Sequence, residues 1–270
     1  MSGATRLLAD LKRRLKGVSR LRQYELAAPL PLSDDMSDIE RLFWSNKGAV
    51  VHKWLHYLPL YDRYLAKYRG TAVKMLEIGV YKGGSLHLWR EYLGPEAVIF
   101  GIDIDPSCAA FDGIDGQVRI GSQADPAFLA RVVAEMGGVD IVLDDGSHIG
   151  RHMRASLDAL YPHLSDGGLY LVEDVHCAYN RRYDGRFSRH NFIRLLGRLT
   201  DDIHHWYHTG GQKVAATADR LLGLHIHDSL VVLEKGVKAR PAHIQVGTQI
   251  SDKTQIPAMA GAKTEADAES

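Results

Sequence analysis

The sequence predicts an α/β fold: a largely parallel sheet with helices on both faces. Three observations carry that prediction. Short apolar runs alternate with helical stretches from Val73 onward. A glycine-rich turn joins the first run to the first of those helices. Acidic residues gather just past the ends of several runs. Alternation of this kind favours parallel strands with crossover helices.

The strands are expected at Val73–Ile78, Ala97–Ile102, Gln117–Ile120, Asp140–Leu143, Gly168–Val172 and Leu230–Leu233. Helices fit between them at Gly84–Tyr92, Pro126–Glu135 and Ile149–Leu164. Upstream, Asp38 to Tyr68 reads as helical and carries many aromatic residues. Residues 1–22 read as a basic amphipathic helix, with Leu7/Leu8, Leu11, Leu15 and Val18 on one stripe. Seven basic residues face one acid, Asp10, in that segment. Peripheral contact with an anionic membrane is one reading. A solvated helix, or one packed on a partner subunit, is the other. Pro29 and Pro31 end the segment. Residues 249–270 are rich in Ala, Lys, Glu, Asp and Ser and read as a disordered tail. The domain organisation is thus a basic segment over 1–37, one globular domain over 38–248 and the tail.

At 270 residues and 45% hydrophobic content the chain supports one sizeable core. Thirty-three basic residues balance 33 acidic ones, so no global basic field points to nucleic acid. The only two cysteines, Cys108 and Cys177, make a disulfide framework improbable and favour the cytoplasm. No apolar run reaches the roughly 18 residues of a membrane span. The first residues lack the apolar core of a signal peptide.

The turn after the first strand is Glu77-Ile78-Gly79-Val80-Tyr81-Lys82-Gly83-Gly84-Ser85. Its glycines permit a tight turn and close approach of a ligand to the backbone. In open α/β sheets the ligand crevice lies at the carboxyl ends of the strands. Tyr81 stands where the second glycine of a dinucleotide motif belongs, which disfavours NAD and a dehydrogenase. The second strand ends in Gly101-Ile102-Asp103-Ile104-Asp105-Pro106. Asp103, with Asp105 in reserve, can accept hydrogen bonds from both hydroxyls of a ribose. Gly121-Ser122-Gln123-Ala124-Asp125 follows the third strand, where a side-chain amide or acid can read an adenine edge.

The order E-x-G-x-x-x-G, then G-x-D-x-D-P, then G-S-Q-x-D resembles the class I S-adenosylmethionine-dependent methyltransferases. The resemblance covers roughly residues 73–236. It implies a Rossmann-like, doubly wound, seven-stranded sheet closed by an antiparallel hairpin, here Gly223–Lys235, under a helical N-terminal cover. It places Glu77 and Gly79 at the methionine end of the cofactor, Asp103 on the ribose and Gln123 near adenine. Tyr81, Gly83, Ser85 and Asp144 complete the expected cofactor contacts.

The fourth strand ends Asp144-Asp145-Gly146-Ser147-His148 and the fifth Glu173-Asp174-Val175-His176. Four carboxylates and an imidazole thus converge beside the methyl donor. Acids so crowded need a counter-charge. A hard divalent cation such as Mg²⁺ supplies it. Capping of helix N-termini accounts for one acid per loop but poorly for two adjacent pairs. The D-D-G-S-H and E-D pairing resembles a narrower group, the metal-dependent O-methyltransferases acting on sugars of macrolides and related natural products. That resemblance implies Asp145, Glu173 and Asp174 as metal ligands and His148 as general base. The acceptor is then a small-molecule glycoside or a glycan, as in antibiotic biosynthesis.

Ser45-Asn46-Lys47-Gly48 followed by His52, His56 and Tyr57 also resembles that group, with Asn46 where an acid is expected. The aromatic residues of 38–68 and 176–215 suit stacking on sugar rings or flat aglycones. They suit a homo-oligomer interface equally well. Two alternatives stand beside this reading. One is a catechol-type O-methyltransferase. The other is a non-catalytic adenosyl-binding protein on the same fold.

Overall fold

The computed structural model describes residues 32–247 apart from residue 218. The expected amphipathic helix over 1–22 and the whole of the expected tail over 249–270 lie outside the described residues. The chain divides into two units, Met1–Lys238 and Ala239–Ser270. All strands and helices described below belong to the first.

Seven strands form one sheet in the order β3-β2-β1-β4-β5-β7-β6. They are β1 (Lys74–Ile78), β2 (Val98–Asp103), β3 (Gln117–Ile120), β4 (Val139–Asp144), β5 (Leu164–Val172), β6 (Leu221–Ile226) and β7 (Val231–Lys235). β1 pairs in parallel with β2 and β4, β2 with β3, and β4 with β5. β7 pairs antiparallel with β5 and β6, closing the sheet with the expected hairpin.

The helices are α1 (Asp38–Ser45), α2 (Leu58–Leu65), α3 (Gly84–Leu93), α4 (Pro126–Met136), α5 (Gly150–Leu160) and α6 (Phe192–Ile203). They sort onto two faces because side chains alternate along each strand. Leu76, Ile78 and Val142 point to the face covered by α4, α5 and α6, against Leu129, Leu157 and Leu199. Met75, Ile141 and Leu143 point to the opposite face, against Tyr61, Leu65 and Trp89 of α2 and α3. Strands covered on both sides read as near-continuous apolar runs, which is why they are visible in the sequence.

The stretch expected to be helical from Asp38 to Tyr68 is interrupted. Between Asn46 and Trp54 the chain is irregular, and short 3-10 turns flank α2. Asn46 is responsible in part. Its side chain accepts from Gly48 N at 3.0 Å and donates to Ala49 O at 2.9 Å, a local turn that competes with helix. Pro59 in the first turn of α2 marks where helix resumes. The irregular segment lies directly on α3: a Cβ at Gly84 would meet the Val50 backbone at 2.4 Å. Cys108 and Cys177 are both free. Among the described residues no helix is long and apolar enough to cross a membrane.

Candidate active site

The strand order reverses between β1 and β4, and the carboxyl ends there frame a crevice. Backbone hydrogen bonds carry the ladder one residue past the strands. Gly79 N donates to Ile102 O at 2.8 Å, Asp145 N to Ile78 O at 2.9 Å and Glu173 N to Asp144 O at 2.9 Å. Residues 79, 145 and 173 are thereby aligned across three neighbouring strands. Gly79 has φ +101°, and a Cβ there would lie 2.2 Å from Asp145 O. Only glycine lets the two loops approach this closely.

A cavity of about 450 Å³ occupies the crevice. That is within the size range of ligand and cofactor sites. Gly79, Tyr81, Ser85, Asp103, Gln123, Asp145, His148, Glu173 and Asp174 all line it. Three residues expected to contact a cofactor do not line it. Glu77 is fully buried behind the loop, where its carboxylate accepts from Ser85 Oγ at 2.7 Å and Trp89 Nε1 at 3.1 Å. Gly83 is the left-handed residue that starts α3, packed on Phe111. Asp144 is buried and accepts from Ser156 Oγ at 2.5 Å and Gln123 Nε2 at 3.0 Å. Burial pushes both Glu77 and Asp144 above the ordinary carboxylate range.

Asp103 Oδ2 accepts from Val80 N at 2.9 Å and Tyr81 N at 3.0 Å, and Oδ1 accepts from Asp105 N at 2.9 Å. The carboxylate therefore shapes the glycine loop and keeps lone pairs facing the cavity. Gln123 lines the cavity, but its amide is engaged: Oε1 accepts from Ser147 N at 2.8 Å while Nε2 holds Asp144. It braces the loops after β3 and β4.

The acids do not act as helix caps. α5 begins after Ile149 with no side-chain cap, and Asp174 caps nothing in the turn it opens. Instead Asp145, His148 and Asp174 each present a ligand atom within 4.8 Å of the others. His148 Nε2 lies 3.8 Å from Asp174 Oδ2. The other imidazole nitrogen, Nδ1, is buried with no hydrogen-bond partner. Asp174 Oδ1 is fixed by Trp54 Nε1 at 2.8 Å and Tyr57 OH at 2.9 Å. Tyr81, His148 and Asp174 have φ of +52°, +55° and +54°. Such strained backbone clusters at functional sites. Two carboxylates and an imidazole suit a hard divalent cation that keeps part of its water shell. The donor set fits the ion that the resemblance implies.

Glu173, the third expected ligand, lies outside that cluster. It is 2% exposed and accepts from Tyr61 OH at 2.5 Å and Lys53 Nζ at 2.9 Å. Lys53, which sequence reading missed, also donates to Asp145 Oδ2 at 2.6 Å. Burial alone would lower its pKa, yet Asp145, Glu173 and Glu77 together raise it well above the lysine range. Lys53 is therefore a buried, permanent cation. Its partners lie 92 and 120 residues away, so no local signal announced it. His52, beside it, also lines the cavity. None of the aromatic residues in 176–215 does, although the Tyr183 ring lies 6.4 Å from that of His148.

The fold is that of a class I methyltransferase domain, and residues 76–175 match the family described as Methyltransferase domain. The motif resemblance to macrolide and sugar O-methyltransferases recurs along the chain. It is 39% identical to an 8-demethyl-8-(2-methoxy-alpha-L-rhamnosyl)-tetracenomycin-C 3'-O-methyltransferase of Streptomyces olivaceus, over 74% of this chain and 54% of that protein. It is 33% identical to demethylmacrocin O-methyltransferase of Streptomyces fradiae, over 79% and 56%. The MycE methyltransferase of the mycinamycin pathway, solved with Mg, SAH and mycinamycin VI, superposes with a TM-score of 0.65 at 33% identity, over 75% of this chain and 54% of that one. The chain spans about half the length of the relatives it matches.

Proposed function

We propose that this protein is an S-adenosylmethionine-dependent O-methyltransferase acting on a sugar hydroxyl of a glycosylated small molecule, assisted by a divalent cation. One observation carries the reading. A single cavity holds both the glycine loop with Asp103 and the Asp145–His148–Asp174 set. The activity of the relatives agrees with it: they are named as O-methyltransferases of rhamnosylated tetracenomycin and of macrolides. MycE was solved with SAH and Mg.

The donor side works by positioning. Asp103 holds the loop through Val80 N and Tyr81 N and offers its remaining lone pairs to the ribose. Tyr81 fills the place of a dinucleotide glycine and shapes the loop for an adenosyl sulfonium instead. On the acceptor side, Asp145 and Asp174 would hold Mg²⁺ or a similar ion, which when bound makes a nearby hydroxyl more acidic. His148 takes the hydroxyl proton at Nε2, the nitrogen turned toward Asp174. Trp54 and Tyr57 fix the Asp174 carboxylate from below, so the imidazole faces a carboxylate that cannot swing away. His52, Lys53 and Trp54 of the irregular segment line the cavity beside the acids.

The test is methyl transfer from labelled S-adenosylmethionine to a panel of glycosides and sugar-free diphenols, with Mg²⁺ or with chelator. Glycosides should be methylated and chelator should abolish turnover. A diphenol turned over faster than every glycoside would replace the sugar reading with the catechol one. Donor binding without turnover of any acceptor would favour a non-catalytic adenosyl-binding protein.

A further inference from the structure

The ammonium of Lys53 lies between Asp145, one of the acids that would hold a divalent cation, and two buried glutamates. Its Nζ is 2.6 Å from Asp145 Oδ2, 2.9 Å from Glu173 Oε1 and 3.7 Å from Glu77 Oε1. The side chain is 2% exposed, and Glu173 and Glu77 are as deeply buried. Three carboxylates so close, two of them buried, would repel one another without a cation among them. Lys53 supplies one from within the chain.

That placement has a consequence for metal binding. The Asp145 oxygen that Lys53 holds belongs to the same carboxylate that reaches the His148 and Asp174 cluster. A divalent ion entering the cluster meets a tethered positive charge already bound to one of its ligands. Glu173, committed to Lys53 and to Tyr61, is closed to the ion while those bonds persist. A divalent ion and an ammonium held on the same Asp145 carboxylate repel one another at short range.

We infer that Lys53 is a built-in competitor for the divalent cation, a positioning residue that neutralises the acids when the ion is away and weakens its binding when it arrives. The inference rests on the metal-assisted reading above. Lys53 comes from the irregular cover segment, not from the sheet. Release of its bonds would therefore free Asp145, and leave Glu173 held by Tyr61 alone, without disturbing the strand ends.

The experiment uses the full chain, wild type against Lys53→Met and Lys53→Arg. Mn²⁺ binding is followed by calorimetry and by the electron-spin signal of the free ion. Melting temperatures are taken with chelator and with saturating Mn²⁺. Removing a positive charge this close should tighten Mn²⁺ binding about tenfold or more in Lys53→Met. That variant should melt lower than wild type in chelator and gain more from the ion. Lys53→Arg, which keeps the charge, should stay near wild type. Equal or weaker binding by Lys53→Met, with wild type binding normally, overturns the competitor role and leaves the proposed function standing. No Mn²⁺ binding by any form overturns both. Should Lys53→Met not fold, nitrogen-labelled lysine NMR on the wild type decides. The buried ammonium resonance should move on addition of Mg²⁺, and a signal unchanged to saturation overturns the inference.

Discussion

The two halves of the cavity are built differently. The donor half, from β1 to β3, is made by backbone. Asp103 shapes the loop through the amides of residues 80 and 81, only 22 or 23 positions away. The acceptor half is assembled from far apart. Lys53, Trp54 and Tyr57 reach Asp145, Glu173 and Asp174 across 92 to 120 positions. A backbone-built site is preformed and tolerates little change in the loop. A site of buried charges depends on each being matched, because an unpaired one costs far more than a paired one contributes. Breaking the two halves separately should therefore give different failures.

The largest effect belongs to the acceptor half. His148→Ala should lower methyl transfer by about 10²–10⁴-fold, the usual share of a general base. Binding of S-adenosylhomocysteine by calorimetry should stay within a few fold of wild type. Turnover close to normal would remove His148 from the chemistry and the acceptor half from the mechanism.

The donor half should fail in the opposite way. Asp103→Ala removes a charged acceptor from two loop amides, and hydrogen bonds to charged groups contribute about 1.5–3 kcal/mol each. Donor affinity should fall roughly 10- to 100-fold, with much of the maximal rate recovered at saturating donor. Undiminished donor affinity would show that Asp103 serves the loop alone.

Gly79 is where the halves touch, so Gly79→Ala should damage both. Its Cβ would fall on Asp145 O from a backbone conformation that alanine resists. Overpacking and strain together should cost about 3 kcal/mol. A melting temperature equal to wild type would mean the loops can separate, contrary to the close approach described here.

The same contrast explains what the sequence makes legible. The central strands were visible because burial on both faces writes them as apolar runs. The partly buried edge strand Gln117–Ile120 was placed to the residue, while Leu221–Ile226 was reached only through the hairpin that the resemblance implied. The glycine loop and Asp103 were visible because their partners are near in sequence. Asp145 and Asp174 stood out as adjacent acids past two strand ends. Lys53 did not stand out. It lies in a stretch whose aromatic residues read as continuous helix, and its partners come together only once the sheet forms. Glu77 and Asp144 sit away from the cavity for a related reason. Both stand in site-forming motifs, yet the pleat turns their side chains inward, where Ser85, Trp89, Ser156 and Gln123 satisfy them. Motif position fixes where the backbone goes, while the direction of a side chain depends on which face its strand residue takes.

The smallest expected effect tests that last point. Asp144 is 1% exposed, and burial raises its pKa from an ordinary 3.8, against the opposing pull of Ser156, His148 and Gln123. A carboxyl whose folded pKa exceeds its unfolded value binds its proton more tightly when folded. Its contribution to stability is therefore complete below the unfolded pKa and lost as pH rises through the folded one. The amide introduced by Asp144→Asn would not titrate and would keep a carbonyl for Gln123. That variant should therefore gain on wild type as pH rises from the acid range toward neutrality. In a domain of this size each kcal/mol moves the melting temperature by about 2–4 °C. If Asp144 is a brace inside the core, that gain appears and donor affinity stays unchanged. If the side chain instead turns into the cavity to meet the cofactor, the variant loses donor affinity and its stability relative to wild type does not vary with pH.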